Sequence, residues 1–242
     1  MQNAAEHFAA AFAGRFKVLD LDMTAAAFKS GRPETPFNMT DAQSRAAAGV
    51  TGSDTLILLK SETLRRASLD RPEYYEAYLA IYVVDGRSGQ LIIWDLATFE
   101  EATPALAEKR LVESVPAIAR STVERFANAT GAVAADRPKM AEINADDAEP
   151  GLKPPIPYRR IKPDYPSSAY LYGVRATVEV EVDIDESGKI TRTAVVRWAG
   201  YGLDEAVITA VRSMNWRPAM RAGKPFPMRV LLRYNFTKVE KD

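Results

Sequence analysis

The chain has 242 residues, 47% of them hydrophobic and 26% charged, with 32 Lys/Arg against 32 Asp/Glu. That composition suits a soluble globular protein of two domains, each of roughly 100 to 130 residues. The absence of cysteine excludes disulfides, thiolate zinc sites and a cysteine nucleophile, and a single histidine excludes a multi-histidine metal site.

The zero net charge hides an asymmetry. Gly151 to Asp242 carries 16 Lys/Arg and 10 Asp/Glu, a net of +6, whereas the first 150 residues carry 16 and 22. A basic C-terminal half suits an acidic partner, and the excess is modest for nucleic acid. No apolar run approaches the ~20 residues that span a bilayer. "MQNAAEHFAAAF" lacks the basic start of an export signal, so the reading is a cytoplasmic chain or one whose export segment has been cut away.

In chain order, Ala5, Phe8, Ala9, Phe12 and Phe16 follow helical spacing, and a strand is expected at Phe16 to Leu21. Ala42 to Ala48 reads as a short helix stopped by Gly49. Strands are expected at Leu56 to Arg66, Tyr74 to Val84 and Gln90 to Phe99, with "DGRSG" (Asp85 to Gly89) turning the last pair. A helix is expected from Ser114 to Asn128, started there so that Pro116 falls in its first turn. Thr130 to Pro157 holds Pro138, Pro150, Pro154, Pro155 and Pro157 with no apolar period, and reads as an extended linker, about 131–157.

The second half alternates cleanly. In "VRATVEVEVDID", Val174, Ala176, Val178, Val180, Val182 and Ile184 are apolar and their neighbours polar, which predicts a strand with one buried and one wet face. "DESG" turns the chain into a second strand, Lys189 to Trp198. Leu203, Ala206, Val207, Ala210, Val211 and Met214 form a helical stripe, with Asp204 and Glu205 in the first turn where the dipole favours them. A last strand is expected from Phe226 to Phe236.

Candidate chemistry is sparse. His7 beside Phe8 reads as a helix-edge residue. There is no G-x-S-x-G, P-loop or G-x-G-x-x-G, and "AGYG" (Ala199 to Gly202) reads as a loop. Asp146, Asp147 and Glu149 read as a solvated acidic run. "PYRRIKPDY" and "RVLLRYNF" come closest to the basic-aromatic pattern of a nucleic-acid binder, but Arg229 and Arg233 fit an ordinary wet strand face better.

The ordered motifs of the second half carry a family resemblance. "PDYPSSAYLYG", "ATVEVEVDIDESGKI" and "GLDEAVITAVRSMNWRPAMRAGKPFPMRVLLRYNF" together resemble the TonB C-terminal domain over about residues 158–238. In this reading Pro163 and Pro166 hold the chain extended, Ser167 and Ser168 cap a short helix, Ala169 and Leu171 face the sheet, and Gly173 ends the turn. The resemblance implies capture of an extended peptide, the Ton box of outer-membrane receptors, beside the last strand. It implies partner contacts at Lys162, Pro163, Tyr165, Pro166, Arg229, Leu231, Arg233 and Asn235. Receptor-coupling members carry glutamine where Lys162 stands, and begin with a membrane helix that this sequence lacks.

"GRFKVLDLDMTAAA", "AAAGVTGSDTLILLKSE" and "YYEAYLAIYVVDGRSGQLIIWD" are similar to envelope α/β domains of the CsgG, FlgO and TolB N-terminal type. The first strand usual in those domains has no counterpart ahead of Phe8.

The expectation is therefore an α+β protein. It has an N-terminal α/β sandwich-like domain at 1–130, the linker, and a C-terminal TonB-like domain at 158–242 with a three-stranded antiparallel sheet and two helices. It is read as a periplasmic, non-enzymatic interaction protein that adds a partner strand and transmits energy to outer-membrane receptors, with no cofactor or metal. Its partner is a Ton box or another envelope protein, or a second copy pairing through the last strand. The alternatives are a structural envelope protein without receptor coupling and a nucleic-acid-binding module, the latter not expected.

Overall fold

The computed structural model describes residues 2–30, 35–129 and 151–237. The bulk of the expected linker, up to Pro150, lies outside the described residues. The α+β class holds, with helices and antiparallel strands segregated along the chain. By its contacts the chain divides into two units, Met1–Phe37 with Ala42–Ala135, and Asn38–Asp41 with Asp136–Asp242. Among the described residues no helix is long and apolar enough to cross a membrane.

The first unit opens with helices α1 (Gln2–Ala13), α2 (Leu21–Ser30) and α3 (Asp41–Thr51), the last starting in the four-residue segment assigned to the second unit. Strands β1 (Thr55–Arg66), β2 (Tyr74–Asp85) and β3 (Leu91–Glu101) form an antiparallel meander in the order β1-β2-β3, followed by α4 (Pro104–Ala129). Ala77, Leu79, Ile81 and Val83 on alternate positions of β2 pack against Phe8 and Phe12 of α1 and Leu111, Val115, Ala119, Val123 and Phe126 of α4. Tyr78 and Tyr82, on the opposite face of β2, are buried too.

Three expectations change here. Gly49 does not stop α3, which runs on to Thr51. Phe16 to Leu21 is not a strand: the Phe16 ring packs 5.7 Å from Phe12 and 5.3 Å from Phe126, and the chain then enters α2. Asp20 caps that helix, accepting the Met23 N–H at 2.9 Å, a capping signal that the run of apolar residues obscured. The last helix begins ten residues earlier than Ser114, at Pro104. Thr103 accepts the Leu106 N–H at 3.3 Å and Pro104 occupies the first helical position, where its missing donor costs nothing. Pro116 therefore lies mid-helix. The apolar stripe Ala107–Leu111–Val115–Ala119 is buried on both sides of it, and that burial offsets the lost backbone bond.

The second unit begins, after the undescribed segment, with two short strands, β4 (Leu152–Lys153) and β5 (Ile156–Pro157), so the last residues of the expected linker are paired. Helix α5 (Ser167–Leu171), the hairpin β6 (Ala176–Ile184) and β7 (Ile190–Arg197), and α6 (Leu203–Arg212) follow. The final strand expected from Phe226 to Phe236 is present from Met228, with three unexpected short strands ahead of it. Short strands β8 (Trp216–Arg217), β9 (Ala219–Arg221) and β10 (Lys224–Phe226) precede β11 (Met228–Phe236), with Pro218 and Pro227 at the breaks. A proline has no N–H for a ladder, so pairing lapses there. β5 pairs with β8, β9 lies between β10 and β4, and the main sheet has the order β11-β6-β7.

The core of this unit is the apolar face of β6. Val178, Val180, Val182 and Ile184 are fully buried with Leu203, Val207 and Val211 of α6 and with Trp198 and Met228. Gly188, in the β6–β7 turn, has φ +84°, and a Cβ there would stand 2.3 Å from the Trp216 carbonyl oxygen. The hairpin turn is thus held against the start of the strand region that follows α6.

Candidate edge-binding site

β11 is an outermost strand of its sheet, paired only with β6 among the described residues. Which of its backbone groups face outward follows from β6. Thr177 turns both its N–H and its C=O away from β11, bonding Asn38 Oδ1 at 3.0 Å and Asn38 Nδ2 at 2.8 Å. The Asp183 carbonyl likewise accepts the Thr191 hydroxyl of β7 at 3.2 Å. Backbone groups alternate in direction along an antiparallel strand. Val178, Val180 and Val182 therefore bond to Tyr234, Leu232 and Val230, their partners in register. Arg229, Leu231, Arg233 and Asn235 turn their N–H and C=O to the open edge. Arg160 reaches that edge: its Nη2 donates to the Arg233 carbonyl at 3.4 Å, with its guanidinium 5.5 Å from the Tyr234 ring.

The side chains of those four residues lie on the polar face of the sheet. That face was expected to be wet; Leu231, Arg233 and Asn235 are exposed as expected, whereas Arg229 is buried. Arg229 is 5% exposed and makes a two-pronged bond to Asp183, at 2.6 and 2.8 Å, the carboxylate itself being 1% exposed. Arg233 donates to Glu179 at 2.7 Å, Arg197 stands 3.4 Å from the same carboxylate, and Asn235 accepts from Thr177 at 2.9 Å. The cause is register: Arg229 faces Asp183, and Arg233 faces Glu179, directly across the strands. Period-two alternation reports polarity but cannot tell a solvated charge from one paired with a strand fifty residues later. Leu231 sits among these pairs and is 55% exposed.

The proline segment that precedes α5 supplies the remaining expected contacts. Lys162 is exposed and Pro163 buried, and both line a groove with Ile161, Asp164 and the α6 residues Ala206 and Thr209. Tyr165 stands nearer the edge strand, its ring 5.7 Å from Phe236 and its hydroxyl donating to the Val174 carbonyl; burial raises its phenol pKa. Pro166 packs beside Gly202. The structure thus brings Tyr165 to the end of β11 and sets Lys162 and Pro163 against α6. The expected serine caps are absent. Pro166 is the N-cap, with no side-chain bond, and Ser168 instead donates to the Tyr201 carbonyl at 2.8 Å. Ala169 is fully buried, whereas Leu171 is 52% exposed, because five residues of helix cannot turn both toward the sheet. Gly173 (φ +58°) ends the turn as expected.

Two residues escaped the sequence reading. Arg160, which reaches the open edge, had only the paired arginines of "YRRI" as a signal. Asp204 was read as a dipole-complementing residue, yet it is 9% exposed and accepts from the Ala199 N–H at 2.9 Å and the Gly200 N–H at 2.8 Å. Burial pushes its pKa up to about 7, against the opposing pull of those two backbone bonds. Its carboxylate fastens the glycine-rich loop between β7 and α6.

Residues 161–237 match the family model for the Gram-negative bacterial TonB protein C-terminal. Among solved structures the chain is similar to the solution NMR structure of the Pseudomonas aeruginosa TonB CTD, at 25% identity over 43% of this chain and 97% of that chain, with a TM-score of 0.32. No curated protein matches the chain.

Proposed function

We propose, from the match of residues 161–237 to the TonB C-terminal family model, that the chain is a periplasmic envelope protein that captures an extended partner segment as a strand along the outer edge of β11. The observation that carries this reading is the row of outward backbone groups at Arg229, Leu231, Arg233 and Asn235 on a strand paired only on its β6 side among the described residues. Such an edge takes a partner mainly through main-chain bonds, and side-chain pockets add selectivity. With Arg229 and Arg233 engaged by Asp183 and Glu179, exposed Leu231 is the apolar contact on that face. Lys162 favours an acidic partner, and Tyr165 borders the end of the strand. The partner is the Ton box of an outer-membrane receptor or another envelope protein, and the captured strand carries force between the membranes. The two-unit division, with a proline-rich connection between about 131 and 157, belongs to the same proposal.

The test is a titration of a Ton-box-like peptide and an acidic variant of it, followed by amide chemical shifts. Shifts clustered on β11 support the reading. Leu231→Pro deletes one outward donor and should abolish binding without breaking the β6 ladder. Peptides that leave β11 unperturbed, or a β11 already paired with a second copy, would sink it.

A further inference from the structure

At the second edge of the sheet, the chain fills the place beyond the end of β7 with its own N-terminal sequence. β6 runs past the end of β7: the pairing of those strands stops where Arg197 faces Glu179, and Thr177 lies beyond it. Asn38, 139 positions away in sequence, fills that place. Its Nδ2 donates to the carbonyls of Thr177 at 2.8 Å and Trp198 at 2.7 Å, while its Oδ1 accepts the Thr177 N–H at 3.0 Å. One carboxamide thus supplies the donor and the acceptor that a strand residue would present to Thr177.

Backbone contacts continue the arrangement. The Trp198 N–H donates to the Met39 carbonyl at 3.3 Å, and Thr40 forms an antiparallel bridge with Arg197. The Arg197 guanidinium donates to the Asn38 carbonyl at 3.1 Å. Met39 is completely buried, and Asn38–Asp41 belongs by contacts to the second unit.

We infer that the end of the β6–β7 edge is a second strand-accepting site, that it recognises an asparagine–aliphatic segment, and that Asn38-Met39-Thr40 is its occupant in cis. The chemistry selects asparagine. Aspartate would lack the donor for the two carbonyls, and an aliphatic residue would leave Thr177 without either partner. Methionine suits this fully buried position because its unbranched side chain adapts to irregular space. The two edges also share a residue, since the Thr177 hydroxyl donates to Asn235 of β11 at 2.9 Å while its backbone holds Asn38. The inference stands on the Asn38 contacts alone and does not depend on what β11 binds.

The experiment uses the full chain with Asn38→Ala, and a labelled synthetic peptide of residues 35–43, TPFNMTDAQ. Two readings are taken: amide hydrogen exchange at Thr177 and Trp198, and peptide binding by fluorescence anisotropy. In the Asn38→Ala variant, exchange should rise by about tenfold or more at Thr177, whose acceptor is removed, and at Trp198, as release of the segment withdraws the Met39 carbonyl. The variant should bind the peptide, the native chain should not, and the same peptide with alanine for its asparagine should bind neither. Unchanged exchange in the variant would overturn the inference, as would an opened edge that ignores the peptide. Equal binding to the native chain would do so too, since it would show that the segment does not occupy the edge. If Asn38→Ala prevents folding, Asn38→Asp keeps the acceptor for the Thr177 N–H and removes the donor to the Thr177 and Trp198 carbonyls, so peptide binding decides there: this variant should bind the peptide, and failure to bind it would overturn the inference.

Discussion

Replacing Arg229 with methionine tests whether the charged face of the sheet is structural. The Arg229 guanidinium bonds Asp183 through Nε at 2.6 Å and Nη2 at 2.8 Å, and the two side chains are 5% and 1% exposed. Methionine conserves most of the packed volume but leaves the Asp183 carboxylate buried. Its nearest remaining cation is Arg192, 3.8 Å away. Removing one partner of a buried pair costs about 3 to 5 kcal/mol, and Arg192 sets the expectation at the lower end, about 3 kcal/mol. Adding Asp183→Leu to the methionine variant removes the stranded charge and should recover most of the loss, because a well-packed apolar pair often equals a buried ion pair.

Urea unfolding in a Trp94→Phe background makes Trp198 and Trp216 the reporters, both in the second unit. With slopes of about 1 to 3 kcal/mol per molar urea, a loss of about 3 kcal/mol moves the midpoint by about 1 to 3 M. A single-variant loss below about 1 kcal/mol would refute the argument. So would a double variant no more stable than the single one.

Three further outcomes are expected. Trp216, the first residue of β8, is 4% exposed, and Trp216→Ala should cost about 3 to 5 kcal/mol in the same assay, where a loss under about 1 kcal/mol would contradict its core position. Gly188→Ala should destabilise by more than about 1 kcal/mol, because the residue has φ +84° and its new Cβ would meet the Trp216 carbonyl; a neutral result would show that the hairpin turn is not held there. Asp204 has a folded-state pKa near 7 against an ordinary 3.8, so the folded chain holds the proton that the unfolded chain releases. Its contribution is complete below about pH 4 and is lost as the pH rises through about 7. The stability of the native chain relative to Asp204→Asn should therefore decline across that window and level off above it, and a rising difference would reverse the assignment.

The strands and their faces were legible in the sequence because each depends on local chemistry. Alternating valines from Val178 to Val182 define the buried face of β6, and "DGRSG" and "DESG" supply turns that can be read without a partner. The stripe from Leu203 to Val211 defines α6, and the ordered motifs from "PDYPSSAYLYG" to "RYNF" were enough to point to the family. Helix boundaries were less legible where a cap opposed a stronger pattern. The Asp20 cap lay hidden in an apolar run, and Pro116 argued for a break that the buried stripe on either side of it overrides.

What only the tertiary structure decided are the properties set by partners distant in sequence. Arg229 read as solvated until register placed Asp183 opposite it and buried the pair, while Arg233 stays exposed and gains Glu179 as its partner in the same way. Asp204 read as a helix-dipole residue until burial put two backbone donors on its carboxylate. Asn38 carried no local signal at all. The bonds that give it a role lie 139 and 160 positions away, because a polar group's partner is fixed by which backbone groups the fold leaves unpaired, and no window of sequence contains that information.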